Sequence, residues 1–568
     1  MSGRTFAVYT LGCKVNQADT ASMQMLFREA GYGVCDFNEI ADVYLVNTCV
    51  VTNAGQQKSR QMIRRAIRRN PAALVVVAGC YPQTAAEEVK TIQGVDLLIG
   101  TQDRAKVVTL VEAAAARKRQ GVKRQREQEK GEDLFVGAGL SSCKDQVPPY
   151  KNKATKGQVY AKDGAPALVE ANQKVALTIN SAEGGYIETE IDDAVRPWAA
   201  HTCFEEMAGG NEEDKTRAYL KIQEGCNQYC SFCIIPYARG PLRSRSLSGI
   251  RGEVERLTAQ GYEEVVLIGI HLGCYGKERT DGTTLYDAVE AALAVPELHR
   301  LRLGSLESVE VEERLLEMMA REPRLCPHLH LPLQSGCDKI LRDMHRPYDT
   351  ARFAALLSMI RGKVPGVAVT TDIIVGFPGE TEEDFQATYE FARQCGFAKI
   401  HIFPYSMRKG TPAAARKDQI PESVKHQRAE KMAVLDAALQ QAYFEQNVGR
   451  KVQVLVEQVV TNQADSTTAV ANAQERSVGS EFTAAGEASD RIAGGRKVLE
   501  PAQTVGNDAK ERTADDKGQV QKKTVIRVEG LSENYIRVEF PGEAALCGKV
   551  VTVEITRAGL DKCEGRMV

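Results

Sequence analysis

The chain has 568 residues, 43% hydrophobic and 26% charged, with a formal charge of −2. That length exceeds one compact core and points to roughly two to four domains, and the composition is that of a globular protein rather than a disordered or membrane one. No run approaches the ~18 consecutive apolar residues of a membrane span. The start of the chain lacks the apolar stretch of a secretory signal, so a cytoplasmic location without membrane association is expected.

Near-zero net charge means that a polyanionic partner would be met by local basic patches. There are 15 cysteines, an odd number in a chain without a signal sequence. This favours thiolate metal sites over a disulfide framework.

Residues 4–116 alternate strand-like and helical stretches, the pattern of a parallel α/β domain. Apolar runs at 6–9, 43–46, 74–78 and 95–99 mark its strands, and Cys13, Cys49 and Cys80 follow three of them within a few residues. Loops after parallel strands open at one sheet edge, so three thiols from distant positions can meet there. Lys58, Arg60, Arg64, Arg65, Arg68 and Arg69 recur at helical spacing, either as a solvated face or as phosphate contacts.

A polar stretch at 117–211, carrying Cys143, Trp198 and Cys203, reads as an insertion or linker. A second insertion, at about 461–523, has too little apolar content to offset ordering entropy and is expected to be disordered. Between them, 212–443 return to βα alternation, with strand-like runs at 218–222, 265–268, 301–303, 328–331, 367–374 and 400–404. Such units predict a partial (βα)6 barrel whose site lies at the carboxyl ends of its strands. In the tail, 446–560, short runs at 452–457, 524–528, 535–540 and 550–555 predict a small antiparallel β-barrel interrupted by the second insertion.

The most specific motif is Glu-Gly-Cys226-Asn-Gln-Tyr-Cys230-Ser-Phe-Cys233, in the loop after the first barrel strand. Three thiolates on one loop can hold three irons of a [4Fe–4S] cluster and leave the fourth iron open. A zinc knuckle is the competing reading, but no fourth Cys or His stands at a suitable nearby spacing.

With these residues in place the sequence resembles the radical S-adenosylmethionine methylthiotransferases. The resemblance runs through Thr-Leu-Gly-Cys13-Lys-Val-Asn-Gln, Val-Asn-Thr-Cys49-Val-Val-Thr, Val-Ala-Gly-Cys80-Tyr and Cys233-Ile-Ile-Pro-Tyr-Ala-Arg-Gly. It continues in Gly269-Ile-His-Leu-Gly, Leu331-Pro-Leu-Gln-Ser-Gly and Thr371-Asp-Ile-Ile-Val-Gly-Phe-Pro-Gly-Glu, and omits only the two insertions. It implies a methylthiotransferase domain at 4–116, a radical core at 212–443 and a TRAM barrel in the tail.

The resemblance further implies S-adenosylmethionine and two [4Fe–4S] clusters, one on Cys226, Cys230 and Cys233 and an auxiliary one on Cys13, Cys49 and Cys80. The implied activity is methylthiolation of C2 of N6-threonylcarbamoyladenosine, 3′ of the anticodon, with the tRNA anticodon stem-loop as partner. An electron donor such as flavodoxin or ferredoxin is implied with it. C2 of an adenine has no acidic proton, so radical rather than base chemistry suits it. Alternatives are isopentenyladenosine in tRNA, an aspartate of a ribosomal protein, or a non-enzymatic iron–sulfur carrier with an RNA-binding tail.

Weaker candidates surround this set. Ser305, Gln334, Gly376 and Gly379 follow barrel strands and are candidates for S-adenosylmethionine, with capping and turn formation as competing roles. His271 faces the same end, as a structural or a catalytic histidine. Asp372 and Glu380 read as capping or solvated carboxylates. Arg239, Arg243 and Arg245, just past the cysteine loop, are candidate RNA contacts.

Overall fold

The computed structural model describes residues 4–132, 191–198, 203–209, 216–460 and 526–568. Cys143 and the second insertion, expected at about 461–523, lie outside the described residues. Two compact units are resolved: Met1–Tyr9, Leu26–Asn47 and Ser59–Arg196 form one, while Thr10–Met25, Thr48–Lys58 and Pro197–Val568 form the other.

The first unit is built on a sheet of β1 (Thr5–Thr10), β2 (Gly33–Cys35), β3 (Val43–Thr48), β4 (Leu74–Gly79), β5 (Leu97–Ile99) and β6 (Asp192–Asp193), in the order β2-β1-β3-β4-β5-β6. Asp42 N donates to Thr5 O at 3.2 Å and Leu74 N to Asp42 O at 2.9 Å, so β1, β3 and β4 start side by side and run the same way. Every residue of β3 and β4 is buried, as near-continuous apolar runs require when both faces of a sheet are covered. The helices between these strands in the chain are α1 (Lys14–Glu29), α2 (Asn53–Arg69), α3 (Cys80–Lys90) and α4 (Val107–Glu132), of which α1 up to Met25 and α2 up to Lys58 belong to the second unit. In α2, Met62, Ile63, Ala66 and Ile67 are buried while Arg64, Arg68 and Arg69 are exposed, an ordinary amphipathic division. Residues 117–132, expected to open a polar linker, continue α4, and β6 adds to the sheet edge by pairing in parallel with β5.

The second unit holds the βα repeat. Its strands are β7 (Arg217–Glu224), β8 (Arg243–Ser244), β9 (Glu264–Gly269), β10 (Arg300–Leu303), β11 (His328–His330), β12 (Ala368–Val375) and β13 (Lys399–Pro404). Its helices are α5 (Ile235–Arg239), α6 (Leu247–Ala259), α7 (Leu285–Leu293), α8 (Glu313–Arg321), α9 (Asp338–Asp343), α10 (Thr350–Lys363), α11 (Glu382–Cys395), α12 (Pro412–Ala415) and α13 (Glu422–Glu445). Short polar caps set the helix starts: Ser246 accepts from Gly249 N ahead of α6, and Thr381 with Asp384 forms a capping box on α11.

Strands β10-β9-β7-β8 make one sheet and β11-β12-β13 another, and parallel bridges Leu301–Leu325 and Ser305–His330 connect the two. Apart from the antiparallel β8, this is the expected partial barrel of six parallel strands. Side chains alternate along each strand. Ala218, Leu220 and Ile222 join Val265, Leu267, Leu301 and Leu303 in the core under the helices. The alternate positions face the lumen, where Val266 and Ile268 pack against Val15 and Ala18 at the start of α1.

The tail closes a barrel of β14 (Lys451–Val460), β15 (Arg527–Ser532), β16 (Arg537–Pro541), β17 (Val550–Ala558) and β18 (Cys563–Met567), in the order β14-β15-β16-β18-β17. Sequence reading missed β18, whose Cys-Glu-Gly-Arg-Met carries little apolar signal. Gly530 is required where β15 crosses β14, because a Cβ there would strike the Leu455 carbonyl. The turn after β15 docks on the start of the βα barrel: Arg302 donates to Ser532 O at 3.0 Å, and the His328 and Tyr535 rings stack with centroids 4.3 Å apart.

Candidate active site

Strand β7 ends at Glu224, and Gly225 turns the chain with φ +80°; a Cβ there would collide with the Pro241 carbonyl. The loop that follows is pinned by Cys226 N donating to Gly240 O at 3.0 Å and turned by Cys233 N donating to Cys230 O at 3.0 Å. Burial pushes the Cys233 thiol up to about 12, with Cys230 and Cys226 adding to the shift against the Ile235 N–H. Burial also raises Cys230, opposed by Arg346. Cys230 and Cys233 thus each feel the charge of neighbouring cysteines on the loop. Such a donor set, with no carboxylate among its members, fits three irons of a [4Fe–4S] cluster, and iron would displace its protons.

Several neighbours of this loop carry no sequence signal. Arg346 donates to Cys230 Sγ at 3.1 Å and to Tyr348 Oη at 3.0 Å, and also pairs with Glu307. His271 Nδ1 lies 3.4 Å from Cys226 Sγ, and its Nε2 lies 2.9 Å from Glu310. The Cys274 thiol donates to Glu310 at 2.9 Å. Burial alone would lower the imidazole pKa, but its bonds to Cys226, Cys274 and Glu310 push it up to about 12. A positive guanidinium and imidazolium beside the thiols suit the negative charge of a thiolate-ligated cluster. Only long-range packing brings these residues together; the histidine alone was singled out in sequence.

Ser305 is exposed after β10, where Leu306 N donates to His330 O at 2.9 Å. Gln334 follows β11 with φ +66° and is tied to β12 by Gln334 N donating to Asp372 O at 2.8 Å. Gly376 and Gly379 follow β12 with φ +72° and +78°. A Cβ at Gly376 would strike Lys425, and one at Gly379 would strike Arg416 and Asp418, so the turn itself demands glycine. All four thus stand beyond the carboxyl ends of parallel strands, the end from which the Cys226 loop also springs.

The arginines expected to contact RNA do not reach solvent. Arg239 is 0% exposed, held by Asp19 and Glu224. Arg243 donates to the carbonyls of Pro241 and Arg239 and lies 4.5 Å from the Trp198 ring centroid. Arg245 donates to Met207 O at 3.0 Å. Each guanidinium is consumed by internal carbonyls and carboxylates, so this expectation is corrected. Glu380 is likewise buried and paired with Arg428, while Asp372 is half-buried and paired with His330.

Cys13 and Cys49 follow β1 and β3, and their loops touch: a Cβ on Gly12 would strike Cys49. Arg408 donates to Val50 O at 2.9 Å beside them. Cys80 is buried at the start of α3, after Gly79 at φ +96°. The three cysteines thus follow three adjacent strands of one sheet.

Comparison with known proteins now bears on this arrangement. Residues 5–100 match an uncharacterized protein family, UPF0004, and 220–392 match the radical SAM superfamily. The threonylcarbamoyladenosine tRNA methylthiotransferase MtaB of Bacillus subtilis is 33% identical over 564 residues, covering 99% of this chain and 96% of its own. The chain is a radical S-adenosylmethionine methylthiotransferase.

Membership of that family makes it an enzyme that uses S-adenosylmethionine and a [4Fe–4S] cluster. The Aquifex aeolicus MtaB is also 33% identical, over 79% of this methylthiotransferase and 92% of its own length. A tRNA-2-methylthio-N(6)-dimethylallyladenosine synthase of Corynebacterium efficiens is 30% identical, over 80% of this chain and 75% of its own. Among solved structures, the radical methyltransferase TsrM of Kitasatospora setae aligns with a TM-score of 0.44 at 16% identity, covering 72% of this chain and 74% of that one.

Proposed function

We propose that this enzyme places a methylthio group on C2 of N6-threonylcarbamoyladenosine, 3′ of the anticodon in tRNA. The observation that carries the reading is the match to the Bacillus subtilis MtaB across 99% of the chain, both insertions included in its span. Cys226, Cys230 and Cys233 hold one [4Fe–4S] cluster, and Cys13, Cys49 and Cys80 hold a second. Ser305, Gln334, Gly376 and Gly379 hold S-adenosylmethionine, and a flavodoxin- or ferredoxin-like protein delivers the electron. When bound, the cluster and S-adenosylmethionine supply one-electron chemistry able to remove hydrogen from an unactivated carbon.

The chain's own residues make that chemistry selective. Arg346 and His271 lie against two of the three thiols and orient them by hydrogen bonds. The left-handed turns at Gln334, Gly376 and Gly379 leave backbone polar groups close to the strand ends, free of Cβ obstruction at the two glycines. Arg239, buried against Asp19, keeps the helix after Cys13 in register with the loop that carries Cys226.

Nucleoside mass spectrometry of tRNA from a strain lacking the enzyme, with and without this chain, tests the substrate. The 2-methylthio derivative of threonylcarbamoyladenosine is the expected product. Restoration of 2-methylthio-dimethylallyladenosine instead, the reading favoured by the Corynebacterium relative, would overturn the assignment. Replacing the Cys226, Cys230, Cys233 set by Ala should abolish formation of 5′-deoxyadenosine; replacing Cys13, Cys49 and Cys80 should remove half the iron and block product.

A further inference from the structure

The barrel lumen carries charge that the cysteine loops do not use. Its acidic groups are already committed. Arg217, Arg300 and Arg302 converge on Glu264 at 3.7, 2.7 and 3.2 Å, and His330 Nε2 lies 3.2 Å from Asp372. Lys14 differs. Among the described residues its ammonium makes no ion pair or hydrogen bond, and it lies 5.7 Å from the Tyr219 ring centroid.

Lys14 opens α1, whose next turn packs Val15 and Ala18 on the lumen-facing Val266 and Ile268. Its side chain remains accessible to solvent, yet it sits in the field of Arg217, Arg302, Glu264 and Asp372, residues of four different barrel strands. A solvent-touched cation held among protein groups with no ion pair of its own, Glu264 and Asp372 being committed to arginine and histidine partners, is a site for a small anion.

We propose that Lys14 receives the carboxylate of the threonyl group on the substrate adenosine and so selects an acid-bearing N6 substituent over an apolar one. This rests on the substrate reading given above. The two kinds of relative differ in this respect: a threonylcarbamoyl group ends in a carboxylate, whereas a dimethylallyl group has no polar atom. The acid gains a charge-assisted hydrogen bond at Lys14. The apolar group would displace water from the ammonium and leave it unpaired, which disfavours binding. Lys14 also adjoins Cys13 in the chain, so the substituent would be anchored close to that cysteine.

The test uses the reconstituted enzyme and three anticodon stem-loop RNAs, carrying threonylcarbamoyladenosine, its threonine-amide analogue and dimethylallyladenosine. Wild type should prefer the acid to the amide by about ten- to a hundredfold in KM, the range of one charged hydrogen bond. Lys14→Met should erase that preference through KM with kcat largely kept, and Lys14→Arg should retain it; iron per chain, measured on each variant, reports folding. Comparing acid with amide inside one variant removes any general loss of activity. An acid-over-amide preference in Lys14→Met equal to that of wild type would overturn the proposal while leaving the substrate reading intact. A wild type that turns over only the dimethylallyl RNA would overturn both.

Discussion

The Arg239 guanidinium, fully buried, donates to Asp19 Oδ2 at 2.9 Å and joins the helix that begins beside Cys13 to the helix that follows Cys233. Glu224 accepts from the same guanidinium at 2.5 Å, and Lys221 lies 3.0 Å from Glu224 while also pairing with Asp19. Arg243 lies 3.8 Å from Glu224 as well, so three cations and two carboxylates are enclosed together, with Asn16 accepting from Arg239. A closed network of this kind costs little while intact and a great deal when one member is removed.

Asp19→Ala should therefore lower unfolding free energy by about 3–5 kcal/mol, the usual penalty for stranding a buried charge. Denaturant titration of the variant gives the value. Wild-type stability in Asp19→Ala would mean that Arg239 finds another partner or water.

Iron uptake should release protons. With burial holding Cys230 above its ordinary value and Cys233 at about 12, both are thiols at neutral pH before metal arrives. Anaerobic reconstitution in buffers of differing ionisation enthalpy should show a smaller release from a Cys230→Ala, Cys233→Ala variant, in which only the remaining cysteines give up protons. Arg346→Met removes a charge that lowers Cys230, so its iron uptake should need a higher pH than wild type does.

Two carboxylates four positions apart should bend the stability curve in opposite directions. Asp384 is held at about 2, against burial, by Lys339, the Thr381 N–H and Cys337. Its contribution is present above the unfolded value near 4 and fades as pH falls towards 2, so Asp384→Asn should cost about 2 kcal/mol at neutral pH and almost nothing near pH 2. Burial raises Glu380 to about 7, opposed by the Gly376 N–H and Arg428. That contribution is full below about 4.5 and is lost as pH rises through 7; relative to Glu380→Gln, wild type should lose about 3 kcal/mol between pH 5 and 8. Denaturation midpoints across pH measure both slopes, and parallel curves for wild type and variants would refute the assignment.

Removing the tail barrel should weaken the βα barrel as well as any hold on RNA. Arg300 donates to Gln453 O and Leu531 O, and Arg302 to Ser532 O and Glu533 O, so truncation after Asn447 deprives two buried guanidinium groups of these acceptors. A fall in melting temperature of roughly 5–10 °C is expected if about 3 kcal/mol is lost. Calorimetry of the truncated chain decides it: an unchanged transition would leave RNA capture as the tail's whole role.

Much of this architecture was legible in the chain. Period-two and apolar runs mark β7, β9, β10, β11, β12 and β13 to within two residues, because burial on both sides leaves strands little choice of residue. Cysteine spacing located the loop after β7, since three thiols so close in sequence can reach one cluster without help from distant segments, and glycine located turns whose φ only it tolerates comfortably. The partners of each charge could not be read in the same way. Arg239, Arg243 and Arg245 form a basic run that suggests solvent and phosphate, and their burial depends on Asp19, Trp198 and Met207, all three outside the barrel's own repeat. Likewise, Arg346 reaches Cys230 across 116 positions, and Lys14 enters a lumen formed by strands that begin some two hundred residues later. Local sequence determines which backbone a segment prefers, through sterics and hydrophobic period; whether a charge ends in water, in an ion pair or among the charges of a barrel lumen is decided by what the tertiary fold brings beside it, because desolvation and Coulomb energies depend on distance in space and not along the chain.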